Sequence, residues 1–318
     1  MFPDTKVGPR PTGLELRDNL KNRMYKGKQM MARSISKASA SLANADEWKT
    51  TNWDSVIASV RRLQMRIAKA YREGRHGKVK ALQRLLTTSY HAKLLAVKRV
   101  VQNKGGKTPG VDGVIWSTHQ HKIEAARSLK RRGYKTKPLK RIYIPKRNGK
   151  PRPLSIPPIL CRGQQSLYLL ALEPIAETIA DKNSYGFRPL RSTADAIAQC
   201  FITLSRKASS QYILEGDIKG CFDNINKSWL VSNIPTDKVM LKKWLDAGYF
   251  EKGKIFPTEQ GLAQGGILSP TALVITLSGL ETAVKAVTKR KDKVNVCIYA
   301  DDCAPRTTVH VNGTGGAL

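Results

Sequence analysis

Asp301 and Asp302 stand side by side in "CIYADDCAP", at the end of an alternating run. Val294, Val296 and Ile298 alternate with Asn295, Cys297 and Tyr299, the period of a strand with one packed face, so the acidic pair sits where a strand reaches its turn. A second candidate, Asp217, closes "YILEGD", in which Ile213, Glu215 and Asp217 fall on one face of a short strand. Neighbouring strands would bring it beside Asp301. Three crowded carboxylates raise one another's pKa and repel, so such a cluster calls for a compensating cation. Magnesium prefers oxygen ligands, and two such ions about 4 Å apart clamp the attacking and leaving oxygens of a phosphoryl transfer. Taken alone, a paired Asp is as readily a solvated turn; the surrounding sequence has to decide.

That surrounding is basic. Lys and Arg number 56 against 24 Asp and Glu, a balance of +32 over 318 residues, with 41% hydrophobic residues available for a core. So large an excess of one sign repels itself unless a polyanion neutralises it. The excess is also local: residues 51–150 hold 26 Lys and Arg against only Asp54, Glu73, Asp112 and Glu124. Nucleic acid is the expected partner, in preference to a solvated helical face or an anionic membrane, because no long apolar span or hydrophobic anchor accompanies the charge. No membrane partner is expected. Five widely spaced cysteines without a CxxC pair fit a reducing cytosol rather than a zinc or disulfide framework. The N-terminus lacks an apolar signal core, while its Arg, Lys and Ser leave an organellar transit segment open.

The elements that must carry these residues follow from periodicity. Residues 1–48 read as a leader, helical from Leu14 to Met31. Val56, Val60, Leu63 and Ile67 predict an amphipathic basic helix after Trp53, and Val79 to Val101 predicts a second helix of about six turns. "KRIYIPKRNGKPRPLSIP" predicts a hairpin with cations at its tip. Helices are expected from Gln164 to Ala180, Thr193 to Arg206, 227–247 and Thr271 to Val287, with strands at Tyr212 and at Lys293 to Tyr299. Mixed helices and strands without regular alternation indicate α+β. Arg162 and Arg188 are basic residues able to touch a template backbone; Trp53, Tyr90 and Trp116 are stacking candidates that more commonly belong to a core.

"RLQMRIAKA", "GKVKALQRLL", "KLLAVKRVVQNKGGKTPGVDG", "RRGYKTKPLKRIYIPKRNGKPRPLSIP", "LALEPIAETIADKNSYGFRP", "DIKGCFDNI", "QGGILSP" and "YADD" occur in one order between Trp53 and Asp302. In this the chain resembles the reverse transcriptases encoded by group II introns, the intron maturases, of bacterial type. The resemblance implies fingers and a partial palm behind a basic helical extension: 49–112 for RNA binding, 113–207 for fingers, 208–303 for the palm, 304–318 a divergent tail. It implies Asp217, Asp301 and Asp302 as catalytic residues, with Asp217, Asp301 and the Ile218 backbone carbonyl holding Mg2+. It implies Lys146 and Arg152 against a triphosphate, Phe222 as a steric gate against a 2′-hydroxyl, and Gln264 near the incoming nucleotide. The implied partners are group II intron RNA, an RNA template with a DNA primer, and deoxynucleoside triphosphates.

The match departs at Leu190, where a Gly is usual, at Ala263 for Pro, at Val274 for Asn and at Leu160–Cys161 in a segment that usually reads "KDR". After Asp302 the sequence turns Thr-rich and carries Pro305, so the terminal hairpin is expected to lack its partner strand and the thumb to be absent. That ending suggests a truncated chain, or one completed by a dimer or a separate C-terminal half, inactive alone as a polymerase but retaining RNA affinity. The alternatives are an RNA-binding splicing cofactor without polymerase activity and a non-functional remnant.

Overall fold

The computed structural model describes residues 46–307 apart from 146–148, 150, 207–208, 210–211 and 290–293, and for residues 212 and 303–307 the backbone alone. The apolar stripe after Trp53 forms α1 (Trp53–Arg72), capped by the Asn52 side chain and burying Val56, Val60 and Ile67. The Val79 to Val101 pattern forms two helices rather than one, α2 (His76–Thr88) and α3 (Tyr90–Gln102), because Ser89 between them is extended. Thr87 and Thr88 direct their hydroxyls back to carbonyls of the preceding turn, a local bond that competes with helix continuation. α4 (His119–Ser128) completes the N-terminal group.

These helices pack around α5 (Ile159–Ile179), which is buried on nearly every side. Pro174 lies inside α5 and cannot supply the N–H that the Leu170 carbonyl would normally accept. Gln64 of α1 supplies it instead, at 2.8 Å. Trp116 belongs to this core, and a Cβ on Gly163 would sit 2.6 Å from its ring.

The hairpin forms as the sequence predicts, β1 (Leu139–Pro145) against β2 (Pro151–Ile156) with Ile142 opposite Leu154. A hairpin that periodicity missed, β5 (Tyr249–Glu251) and β6 (Lys254–Phe256), extends it to a sheet ordered β2-β1-β5-β6. α6 (Thr193–Leu204) begins with a Ser192–Asp195 capping box. α7 (Cys221–Asn224), α8 (Lys227–Asn233) and α9 (Lys238–Leu245) follow along the chain, the last two splitting the expected 227–247 helix where Asp237 caps a new start. α10 (Ser269–Leu277) and α11 (Leu280–Ala286) are divided at Gly279, whose φ is +96°.

The second sheet corrects the expectation about Pro305. β7 (Asn295–Tyr299) does have a partner, β8 (Asp302–Thr307), and β8 is central: β7 lies on one side, β3 (Tyr212–Ile213) and β4 (Gly216–Asp217) on the other. The ladder runs through Ile213↔Arg306 and resumes at Gly216↔Cys303, so Leu214 faces Pro305 in a stretch where pairing lapses. A proline is tolerated there because its missing N–H falls in a gap rather than in a continuous ladder.

Candidate active site

Tyr299 pairs with Asp302 across a two-residue turn made of Ala300 and Asp301. Ala300 takes a φ of +61°, the sign a tight hairpin turn requires. On the other side of β8, Asp302 stands directly opposite Asp217 of β4. Residues directly opposite in an antiparallel pair project to the same face, so these two carboxylates are neighbours. Asp301 is tied in through the backbone: the Ile218 N–H donates to its carbonyl at 3.3 Å. The Ile218 carbonyl in turn accepts from the Cys221 N–H at 3.1 Å.

Electrostatics report the same convergence. Burial, then the charges of Asp301 and Asp217, push the Cys221 thiol up to about 11. Partial burial, then the charges of Asp301, Asp217 and Glu215, raise the Asp302 carboxyl above its ordinary value. A carboxyl raised by folding holds its proton more tightly in the native state than in the unfolded chain, so its contribution to stability falls as pH climbs through the carboxylate range. Asp302→Asn is therefore expected to raise Tm by about 1–2 °C at pH 7 in a chelator, and to do less below pH 4. Differential scanning fluorimetry at both pH values checks this.

The acidic hairpin is held from behind by the segment before α6. Ile298 donates to the Asn183 carbonyl and accepts from the Tyr185 N–H, both at 2.9 Å. Gly186 then passes so close to the turn that an added Cβ would lie 2.2 Å from the Ala300 nitrogen. Arg188 fastens this segment: its buried guanidinium holds both Glu177 carboxylate oxygens at 3.0 and 2.9 Å and donates to the carbonyls of Asp181 and Ser184. It is a clamp and not a surface cation for a template. Arg162 is likewise internal, in α5, donating to the carbonyls of Gly105 and Thr108 at 2.6 Å each.

Leu190 has a φ of +59° and a fully exposed side chain. A left-handed non-glycine residue costs about 1–2 kcal/mol, partly offset in a comparison with glycine by the latter's freer unfolded chain. Leu190→Gly, the residue usual in the resembled family, is expected to stabilise the chain by about 0.5–1 kcal/mol in urea titration, since no packing is lost.

Arg152 of β2 donates from Nε to the Gln264 side-chain oxygen at 2.9 Å, and the Gln264 amide reaches the Asp223 carboxylate at 3.3 Å. The Gln264 loop fits between β2 and α7 only because of its glycines. A Cβ on Gly261 (φ +78°) would lie 2.4 Å from the Phe222 carbonyl oxygen, and one on Gly265 (φ +105°) 2.7 Å from that of Ser155. Phe222 is buried, edge-on to Phe187 at 6.0 Å, and its carbonyl accepts from the Leu262 N–H at 2.7 Å.

The expected residues thus fall into two groups, Asp217, Ile218, Asp301 and Asp302 in one and Arg152 with Gln264 in the other, connected through α7 by the Cys221 N–H on the Ile218 carbonyl and by Asp223 on Gln264. Lys146 lies outside the described residues. Asp223 and Gly186 were missed: both occur within recognised blocks, but nothing in their type signals a role in tying loops together. Among the described residues no three His, Cys, Asp or Glu side chains stand close enough to form a ready-made metal cage. The donor set still suits a hard divalent cation, being all oxygen and carrying a carboxylate whose pKa is raised by desolvation and then by its acidic neighbours.

Residues 48–129 match the family model of the N-terminal domain of reverse transcriptase, and residues 144–307 that of reverse transcriptase (RNA-dependent DNA polymerase). Protein YkfC of Escherichia coli K12 is 31% identical over 264 residues, covering 70% of this chain and 69% of that protein. The group II intron-encoded protein LtrA of Lactococcus lactis is 35% identical over 209 residues, 63% of this chain but only 34% of LtrA, so the chain matches about a third of that relative's length. Among solved structures, a partial Cas6-RT-Cas1–Cas2 complex aligns with 69% of this chain and 38% of its own at 17% identity and a TM-score of 0.39. The second family model alone spans more than half of the sequence, from β1 through the acidic hairpin to the end of β8, and on that ground the chain belongs to the reverse transcriptase family.

Proposed function

We propose that this chain carries the polymerase centre of a group II intron-encoded reverse transcriptase and that its basic N-terminal half holds intron RNA for splicing. In this reading residues 49–112 are the RNA-binding extension, 113–207 the fingers and 208–303 the palm. Enzymes of the family work with divalent metal ions, and magnesium is the ion proposed here, held by Asp217, Asp301 and the Ile218 carbonyl. When bound, it would supply charge neutralisation to the oxygens exchanged in phosphoryl transfer. The chain's own part is to hold the acids in register, to meet the triphosphate with Arg152 and Lys146, and to set Gln264 beside the incoming nucleotide. Phe222 would pack against the sugar and exclude a 2′-hydroxyl. Four free thiols among the described residues suit the proposed bacterial cytoplasm, and no described helix is long and apolar enough to cross a membrane.

The observation that carries the reading is the pairing of Asp217 with Asp302, one residue from Asp301. Carboxylates on adjoining strands, followed along the chain by the helix whose Asp223 holds Gln264 and through it Arg152, suit a triphosphate and its metal ions better than they suit a solvated turn. The test is extension of a DNA primer on an RNA template with deoxynucleotides and magnesium. Extended product supports the reading. RNA binding with no extension at any magnesium concentration overturns the polymerase part and leaves a splicing cofactor.

A further inference from the structure

Away from the acidic sheet, α2, the start of α3, residues 129–132, α5 and residues 236–238 enclose a cleft of ≈ 850 Å³. Lys80, Arg84, Lys93, Lys130, Arg132 and Lys238 all line it. Its sole lining carboxylate, Asp237, is taken by an ion pair with Arg131, and none of those six cations makes an ion pair among the described residues, although Lys238 donates to the carbonyls of Ser232 and Ile234 at 2.7 and 3.1 Å. Cations on an ordinary solvated face spread apart over a convex surface, whereas these converge across a concavity. The crowding is felt: burial, then the charge of Lys130, lowers the Lys93 pKa, and burial, then the charge of Lys80, lowers that of Lys238. Like charges gathered in this way are costly until an anion enters.

The walls also say which part of an anion they meet. The one aromatic in the lining, Tyr168, is buried and packed edge-on against Trp244, so no ring face is offered to a base. Such a lining offers charge to phosphates and no stacking platform to bases. At ≈ 850 Å³ the cleft also has room for more than a single phosphate.

We propose that this cleft is a second nucleic-acid site, separate from the acidic sheet, which grips closely spaced phosphates where a folded RNA backbone bends or two of its strands meet. The identity of the polyanion rests on the RNA-binding part of the function proposed above; the existence of an anion site does not.

The test is anisotropy of a labelled three-way-junction RNA with the full chain, at 50 to 300 mM salt. Lys80→Gln, Lys93→Gln and Lys130→Gln together are expected to weaken binding at least about thirtyfold near 0.1 M salt and to reduce the log-log salt slope by about 2. A control triple outside the cleft, Lys69→Gln, Lys78→Gln and Lys104→Gln, removes the same charge and is expected to cost threefold or less, by the same mass-action reasoning at about one contact or fewer. Equal losses in the two triples, or an unchanged slope, overturn the proposal. Cooperative melting of each variant shows that it is folded, and Lys130→Gln alone, in an exposed loop, gives the same comparison should the triple melt early. Displacement of the RNA by micromolar inorganic tripolyphosphate would assign the cleft to a free anion instead. Asp301→Asn is expected to bind the junction like the wild type, so a failure of primer extension and a failure of this proposal register in different measurements.

Discussion

Asp301→Asn is expected to reduce primer extension on an RNA template by at least about a thousandfold, the effect of losing roughly 4 kcal/mol of charge stabilisation in the transition state. Folding should change little. Asp301 is tied into the sheet by its backbone carbonyl, which accepts from the Ile218 N–H, and asparagine keeps that bond. The substitution thus separates chemistry from architecture: extension disappears, while Tm stays within about 2 °C of the wild type. Partial activity at high magnesium would mean that Asp217 and Asp302 retain the ion without Asp301. Full activity would remove the hairpin from the catalytic centre.

Gly186→Ala is expected to act in the opposite way, through architecture alone. The added methyl would meet the backbone nitrogen of Ala300 at 2.2 Å, its Cα at 2.8 Å and the Tyr299 carbonyl carbon at 2.9 Å. None of these is a side chain able to swing aside. Either the 183–186 segment leaves β7, losing its two 2.9 Å bonds to Ile298, or the Ala300–Asp301 turn shifts. A cost of about 3 kcal/mol is expected, some 6 °C in Tm for a chain of this size, together with loss of any primer extension. Gly77→Ala is the contrast: nothing lies within 4 Å of its added Cβ, and it sits in the first turn of α2. That change is expected to stabilise by about 0.5–1 kcal/mol. Urea titrations of the two variants check both signs.

Much of this arrangement was legible in the sequence because apolar spacing is a local signal. The α1 stripe, the β1–β2 hairpin and the strand leading to Asp301 all form where periodicity puts them. Helix breaks were less legible. At Ser89 the apolar phase continues through the interruption, so spacing alone cannot show that the backbone has turned extended. β8 was hidden by Pro305, which counts against a central strand until the register reveals the gap opposite it. Arg162 and Arg188 were misread because a guanidinium is ordinarily a surface group, and only tertiary structure shows the carbonyls and the carboxylate waiting inside. In the site, the neighbourhood of Asp217 and the acidic pair followed from strand placement, whereas the Arg152–Gln264–Asp223 chain joins residues more than 100 positions apart and 41 positions apart, and no local pattern announces it.

The central place of β8 also sets a timetable. Helices α1 to α5 are all complete by Ile179 and can assemble before β8 is made, but β4 must wait for the strand that pairs with it. Roughly 85 residues separate Asp217 from Asp302, and at about 5–20 residues per second that delay lasts several seconds. During it the edge of β4 is unpaired and open to β-strands of other nascent chains, so slower translation of this interval should lower the soluble yield.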